Sequence, residues 1–255
     1  MVIDTHTHLS LLAKNEQEIK NILQKCKEHK IGLLFNISVD FESNFNNVQL
    51  SEKYNEIYFT VGIHPAEADK ITENELKKIE NLILHKKCIG IGETGIDLYR
   101  NYSSAKNQIR LFEYHLQLAQ KYNKPIIIHS RDSFKEIIDI LSSEQYRGIK
   151  GVFHCFSYGT EEAKKCIDLG YKISFAGNLT YKSAKNLQEA AKKIGIQYIL
   201  IETDAPYLAP VPYRGETNYP YYIIYTIKFL SELRQIPISK IEKEIEKNIK
   251  EIFHI

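Results

Sequence analysis

The sequence predicts a single (β/α)8 TIM barrel over residues 1–255, and three observations carry that expectation. Eight short apolar segments recur along the chain. Between them lie stretches whose apolar residues return every three or four positions, the period of an amphipathic helix. The apolar segments are nearly continuous instead of alternating, as strands read when both faces of a parallel sheet are covered. Eight such units in a 255-residue chain match a closed barrel, and an open doubly wound sheet is the alternative.

In order, the predicted strands are "VIDTH" (2–6), "IGLLFNIS" (31–38), "IYFTVGI" (57–63), "CIGIGE" (88–93), "PIIIHS" (125–130), "GVFHCFS" (151–157), "YKISFAG" (171–177) and "YILIETD" (198–204). Each is rich in β-branched or aromatic residues and short enough for a strand. Helical spacing is clearest in "EQEIKNILQKCKEH" (16–29) and "IRLFEYHLQLAQKY" (109–122). The closing "ISKIEKEIEKNIKEIFHI" (238–255) puts Ile241, Ile245 and Ile249 on one stripe, as a charged helix packed on the outside of a barrel would.

Composition narrows the setting. With 43% hydrophobic and 26% charged residues the chain suits one large core. A net charge of +2 creates no field strong enough to mark a general nucleic-acid binder, so any attraction for phosphate has to be local. The four cysteines form no C-x-x-C pair and the N-terminus has no signal-like pattern, so a cytoplasmic location is expected. No apolar run approaches the roughly 18 residues that span a bilayer.

A barrel gathers its chemistry at the C-terminal ends of its strands. His6 and His8 close the first predicted strand, two residues apart and therefore on one face. Glu93 ends the fourth, His129 nearly ends the fifth, His154 lies in the sixth and Asp204 ends the eighth. A lone His-x-His is read most simply as the end of an edge strand. Four histidines and two carboxylates at strand ends point instead to divalent metal, because imidazole and carboxylate are its usual ligands. Strands one and eight are neighbours in a closed barrel, as are five and six. His6, His8 and Asp204 are thus expected around one ion and His129 and His154 around another, with the two oxygens of Glu93 bridging. Such a pair lowers the pKa of a bound water and clamps the oxygens of a displacement, which implies hydrolysis.

These residues lie in stretches that resemble the TatD family of metal-dependent deoxyribonucleases, within the amidohydrolase-like barrels. The matching stretches are "IDTHTHL" (3–9), "GIHP" (62–65), "IGETGIDLYR" (91–100), "QLAQKYNKPIIIHSRD" (117–132), "HCFS" (154–157), "ISFAGNLTYK" (173–182), "ETDAPYLAP" (202–210) and "YRGETNYP" (213–220). They span nearly the whole chain. The resemblance implies that the family's six metal positions fall on His6, His8, Glu93, His129, His154 and Asp204, and that two divalent ions, Mg, Mn or Zn, are bound. Related amidohydrolases often place a carboxylated lysine on the fourth strand, where this chain has Glu93. The family commonly reads "HCFSG" where this chain has "HCFSYG". Tyr158 therefore replaces a glycine, a change read as loop packing that bears on substrate preference.

The implied activity is hydrolysis of DNA phosphodiester bonds by metal-activated water, on single strands or ends from the 3′ side and without base-specific readout. Asp204 and Glu93 are the expected catalytic carboxylates, with Asp204 taking the proton of the water. Arg214 has the planar donors that suit phosphate. His64 is expected to bind a phosphate oxygen or hydrogen-bond the attacking water, against the alternative of a structural turn before Pro65. Arg131 and Asp132 are read as orienting His129 or the helix that follows, Glu202 as a buried partner of the site, and Cys155 as a small core residue. Tyr207 and the tyrosines of "YPYYIIY" are candidates for stacking, with core packing the simpler reading. An amide or ester hydrolase on the same barrel is the alternative function. A barrel that had lost catalysis would lack ligands, and none is missing. No membrane association is expected, and the sequence does not identify a protein partner.

Overall fold

The structure is a computed structural model and describes residues 1–255. Its elements in chain order are β1 (Val2–Thr7), α1 (Leu9–Leu12), α2 (Glu16–Glu28), β2 (Ile31–Asn36), α3 (Phe41–Lys53), β3 (Ile57–Val61), α4 (Glu73–Glu80), β4 (Cys88–Asp97) and α5 (Ala105–Tyr122), followed by β5 (Ile126–Arg131), α6 (Phe134–Leu141), β6 (Gly151–Phe153), α7 (Thr160–Asp168), β7 (Tyr171–Phe175), α8 (Lys185–Lys193), β8 (Ile199–Ile201), α9 (Ile223–Arg234) and α10 (Ile238–Phe253). The strands follow one another in sequence order, β1 to β8, in one sheet. A parallel bridge from Thr7 to Ala205 brings the segment after β8 back to β1. This is the (β/α)8 TIM barrel that the repeated pattern predicts, and the open sheet is set aside. No helix is long and apolar enough to cross a membrane.

Two compact units can be distinguished. The first comprises Met1–Asn36, Cys155–Lys164 and Ile173–Ile255. Here β1 runs parallel to β2 and β7 to β8, and the His8 and Asp204 N–H groups donate to the Ala205 and His6 carbonyls at 2.8 and 2.9 Å. Asn15 caps α2 by accepting the Glu18 N–H at 3.0 Å, and α2 buries Ile19, Ile22 and Cys26. The expected stripe of α10 is buried: Ile241, Ile245 and Ile249 are joined by Ile252 and by Phe253, whose ring meets Phe35 edge-on at 4.9 Å.

The second unit comprises Ile37–His154 and Lys165–Lys172 and holds β3 to β6 in parallel register. Reciprocal caps start its first two helices, Asp40 with Ser43 on α3 and Thr72 with Glu75 on α4. α5 buries Leu111, Phe112, His115, Leu116 and Ala119. Two glycines let β4 press against β5. A Cβ on Gly92, at φ +138°, would lie 2.6 Å from the Ile127 carbonyl oxygen, and one on Gly95, at φ +142°, would collide with that of His129.

Three strand boundaries differ from expectation in ways that move site residues. β4 does not stop at Glu93 but stays paired with β5 as far as Asp97 opposite Arg131. β6 stops at Phe153 and β8 at Ile201, short of the expected 157 and 204. Cys155 at φ +43° and Asp204 at φ +56° are in the left-handed region, through which a strand cannot continue. Glu93 is thus mid-strand, while His154 and Asp204 lie beyond strand ends.

Candidate metal centre

The six predicted ligands fall into two clusters, one in each unit. In the first unit His6 sits in β1 and His8 just beyond it, at the start of α1, and their rings meet edge-on. The two Nε2 atoms are 3.2 Å apart. Asp204 Oδ1 lies 3.8 Å from His6 Nε2 and 3.5 Å from His8 Nε2. Two imidazole nitrogens, each about 2.0–2.1 Å from one ion at a roughly tetrahedral angle, are spaced in this way. The donor set fits a divalent transition ion.

Backbone hydrogen bonds fix this cluster. Asp4, buried beneath the histidines, accepts the Thr203 N–H at 2.9 Å, the Thr203 hydroxyl at 2.5 Å and the His6 N–H at 3.3 Å. Burial lifts its carboxyl to about 8, against the lowering effect of the Thr203 bonds. Asn218, the last residue of "RGETN", is also buried and donates from Nδ2 to the Thr203 and Tyr207 carbonyls at 2.8 and 2.7 Å. It clamps both sides of Asp204, a physical reason for asparagine in that block. Glu202 is a buried partner as expected, accepting the Cys155 N–H at 2.6 Å.

In the second unit Glu93 Oε1 lies 2.8 Å from both His129 Nδ1 and His154 Nε2, and those nitrogens are 3.2 Å apart. His64 Nε2 stands 3.6 Å from the same oxygen, and the His64 ring meets that of His129 edge-on at 4.5 Å. His64, Glu93 and His129 thus offer ligand atoms within 4.8 Å of one another. Burial alone would raise the Glu93 carboxyl, but the positive potential of His154 and His64 and hydrogen bonds with His129 and His154 hold it well below the usual range. His64 is lowered as well, to about 3, through burial first and the neighbouring His129 second, which keeps it neutral where Glu93 stays ionised. Its Nδ1 accepts the Ala66 N–H at 3.1 Å, so a neutral His64 carries its proton on Nε2, toward Glu93. His64 therefore caps the turn at Pro65 and at the same time faces the cluster.

Two residues of this cluster escape the sequence reading. Asp97 Oδ2 lies 3.2 Å from His129 Nε2, while its Oδ1 accepts the Arg100 N–H at 2.8 Å. Burial pushes Asp97 up, but the bonds with His129 and Arg100 outweigh it and bring the carboxyl to about 2, an anion throughout the neutral range. With Nε2–H committed to Asp97, the proton that His129 Nδ1 shares with Glu93 is the one a metal ion would replace, and Nδ1 is then the ligand atom. A carboxylate behind an imidazole in this way orients metal-binding histidines and raises their basicity. Asp97 thus aligns His129 from behind. His115, fully buried on α5, accepts the Ile63 N–H on Nε2 at 3.2 Å and pairs through Nδ1 with the Leu111 carbonyl at 2.7 Å and the Thr94 hydroxyl at 3.2 Å. It links the backbone beside His64 to the side chain of the residue after Glu93.

The remaining candidates are peripheral to these clusters. The Arg214 guanidinium lies over the Tyr181 ring at 4.4 Å. Tyr158 packs edge-on against Phe156 at 5.6 Å, in keeping with the loop-packing reading. Tyr207 is exposed, with its ring 6.4 Å from that of His8. The "YPYYIIY" tyrosines stack among themselves and on Tyr213. Cys155 is half-buried, not the core residue expected, because its left-handed backbone turns it out of β6.

The family model described as TatD related DNase matches residues 3–254. The chain belongs to the TatD family. Over 255 aligned residues it is 33% identical to the Bacillus subtilis protein called uncharacterized metal-dependent hydrolase YabD, covering all of both chains. It is 36% identical over 262 aligned residues to a metal-dependent hydrolase of Buchnera aphidicola, covering 100% of this chain and 99% of the relative. The crystal structure of YjjV, a TatD homolog from Escherichia coli K12, superposes with a TM-score of 0.93 at 26% identity, over 100% of this chain and 98% of that one. The chain is a metal-dependent hydrolase of the TatD type on a TIM barrel, with His and Glu groups placed to bind metal.

Proposed function

We propose that this TatD protein is a deoxyribonuclease that cleaves phosphodiester bonds of single strands or ends, from the 3′ side, with two divalent ions shared by His6, His8, Asp204, Glu93, His129 and His154. One observation carries the metal reading: Asp97 holds the Nε2–H of His129, which leaves Nδ1 as a ligand atom beside Glu93 and His154. The family's DNase description supports DNA as the substrate. When bound, divalent cations supply an activated water and offset the charge of a phosphate. Glu93, with two oxygens and an ionised carboxyl, would help to hold these ions in this reading. Asp204 holds the water on the His6–His8 side and takes its proton. Arg214 donates to a non-bridging phosphate oxygen from a guanidinium stacked on Tyr181. His64 donates its Nε2–H to a phosphate oxygen or to the water.

The test is a metal-titrated assay on labelled single-stranded DNA, with an amide and an ester substrate run alongside. Nucleotide release that rises with added Mn²⁺ or Mg²⁺ is expected. Metal-dependent turnover confined to the amide or ester would move the substrate class while leaving the metal centre in place.

A further inference from the structure

We infer that the loop after β4 carries a nucleobase-stacking subsite, in which Tyr99 supplies the platform and Arg131 holds the adjoining phosphate. The inference rests on the nuclease reading and names the part of the substrate that the metal clusters cannot recognise.

A tyrosine offers a large flat apolar face on which another ring can stack. Here Tyr99 and Tyr102 are 62% and 63% exposed, in one turn between β4 and α5. Both are paired with arginine. The Arg131 guanidinium lies 4.0 Å from the Tyr99 ring centroid, and that of Arg100 lies 5.8 Å from the Tyr102 centroid while donating to the Tyr102 hydroxyl at 3.0 Å. A guanidinium at 4.0 Å covers one region of the Tyr99 ring, yet more than half of the residue's surface stays open.

This arrangement is joined through paired backbone to the candidate ligand His129. Arg131 is the last residue of β5, in register with Asp97, and its carbonyl accepts the Leu98 N–H at 3.0 Å. Asp97 in turn bonds to His129. Tyr99 is two residues beyond Asp97, and Arg131 is two residues beyond His129. The same paired strand ends therefore fix the candidate ligand and the Tyr–Arg stack, so a strand whose phosphate engages the His129 cluster places its next base by this loop. A stacked arginine keeps its in-plane N–H donors for a phosphate, while the tyrosine offers a π-face to any base. Such a platform discriminates a base from its absence and not one base from another, which suits a nuclease without sequence preference.

Fluorescence anisotropy of the metal-loaded full chain with hydrolysis-resistant phosphorothioate strands tests this. A labelled oligothymidylate is compared with an abasic strand of equal length. Tyr99→Ala is expected to weaken binding of the base-bearing strand about tenfold and to leave the abasic strand nearly unchanged, with Tyr99→Phe close to wild type. Arg131→Ala is expected to weaken both strands alike. Equal loss on both strands in Tyr99→Ala, or loss on neither, overturns the subsite. If the wild type binds bases and abasic strands equally and cleaves DNA, the stacking subsite fails alone. If it binds neither strand, the nuclease reading fails and the subsite falls with it.

Discussion

Replacing Asp97 by asparagine tests the metal cluster at its least obvious point. The aspartate has two tasks: one oxygen faces His129 Nε2 at 3.2 Å and the other accepts the Arg100 N–H at 2.8 Å. Asparagine has one acceptor oxygen and one NH2 group, so it can serve only one of the two. If its oxygen stays with Arg100, the amide donates to His129 Nε2 and drives the ring proton to Nδ1, where it blocks the ligand atom. If the oxygen turns to His129, the tautomer survives, but the NH2 group confronts the Arg100 N–H and the negative charge behind the imidazole is gone. Both outcomes weaken the ligand. Loss of such a partner costs about 10- to 100-fold in metal affinity or activity, equivalent to about 1.4–2.7 kcal/mol. Isothermal titration with Mn²⁺, paired with turnover of a labelled oligonucleotide, measures both quantities. An Asp97→Asn variant that binds metal and turns over like the wild type would refute the assigned tautomer and the orienting role.

Three further outcomes are expected. Glu93→Gln replaces a carboxylate oxygen with a group that cannot ligate and should lower metal content at both proposed sites, whereas His154→Ala should empty mainly one; elemental analysis separates the two patterns. Arg214→Ala should weaken DNA binding and reduce its salt slope by about one while metal affinity in calorimetry stays near wild type. His115, lowered to about 4 by burial, stays neutral in the fold while an unfolded histidine titrates near 6.5. As pH falls from about 6.5 to about 4 the unfolded chain takes the proton first, so stability falls in that window by about 3 kcal/mol. Urea unfolding of His115→Gln should show a shallower decline there, and identical pH profiles would remove His115 from the account.

The barrel was legible because its strands are apolar on both faces, so that continuous runs such as "PIIIH" and "YILI" stand out from the helical period between them. The six candidate ligands were legible for a related reason: titratable residues at the ends of apolar runs have no place in the core. Asp97 was hidden by composition. Gly92, Thr94 and Gly95 interrupt the apolar run, so the fourth strand reads as ending at Glu93, although a spacing of four within one strand would put Glu93 and Asp97 on one face. His115 was hidden by its company, since among Leu111, Phe112, Leu116 and Ala119 it reads as one more position of a buried helix face.

The strand ends at β6 and β8 were out of reach for a different reason. Left-handed backbone is ordinarily announced by glycine, and Cys155 and Asp204 are not glycine. A non-glycine residue holds such a conformation only where its surroundings over-determine it. Around Asp204 they do: Thr203 is bound to Asp4 on one side, Asn218 grips the carbonyls of Thr203 and Tyr207, and the Asp204 N–H is tied to His6. At Cys155 the N–H is fixed by Glu202. The contacts that impose these two turns come from residues far away in sequence, as distant as Asp4 from Thr203. Local pattern fails where long-range hydrogen bonds override local preference, and at Asp204 that override carries a carboxylate out of its strand to within 3.5 Å of His8.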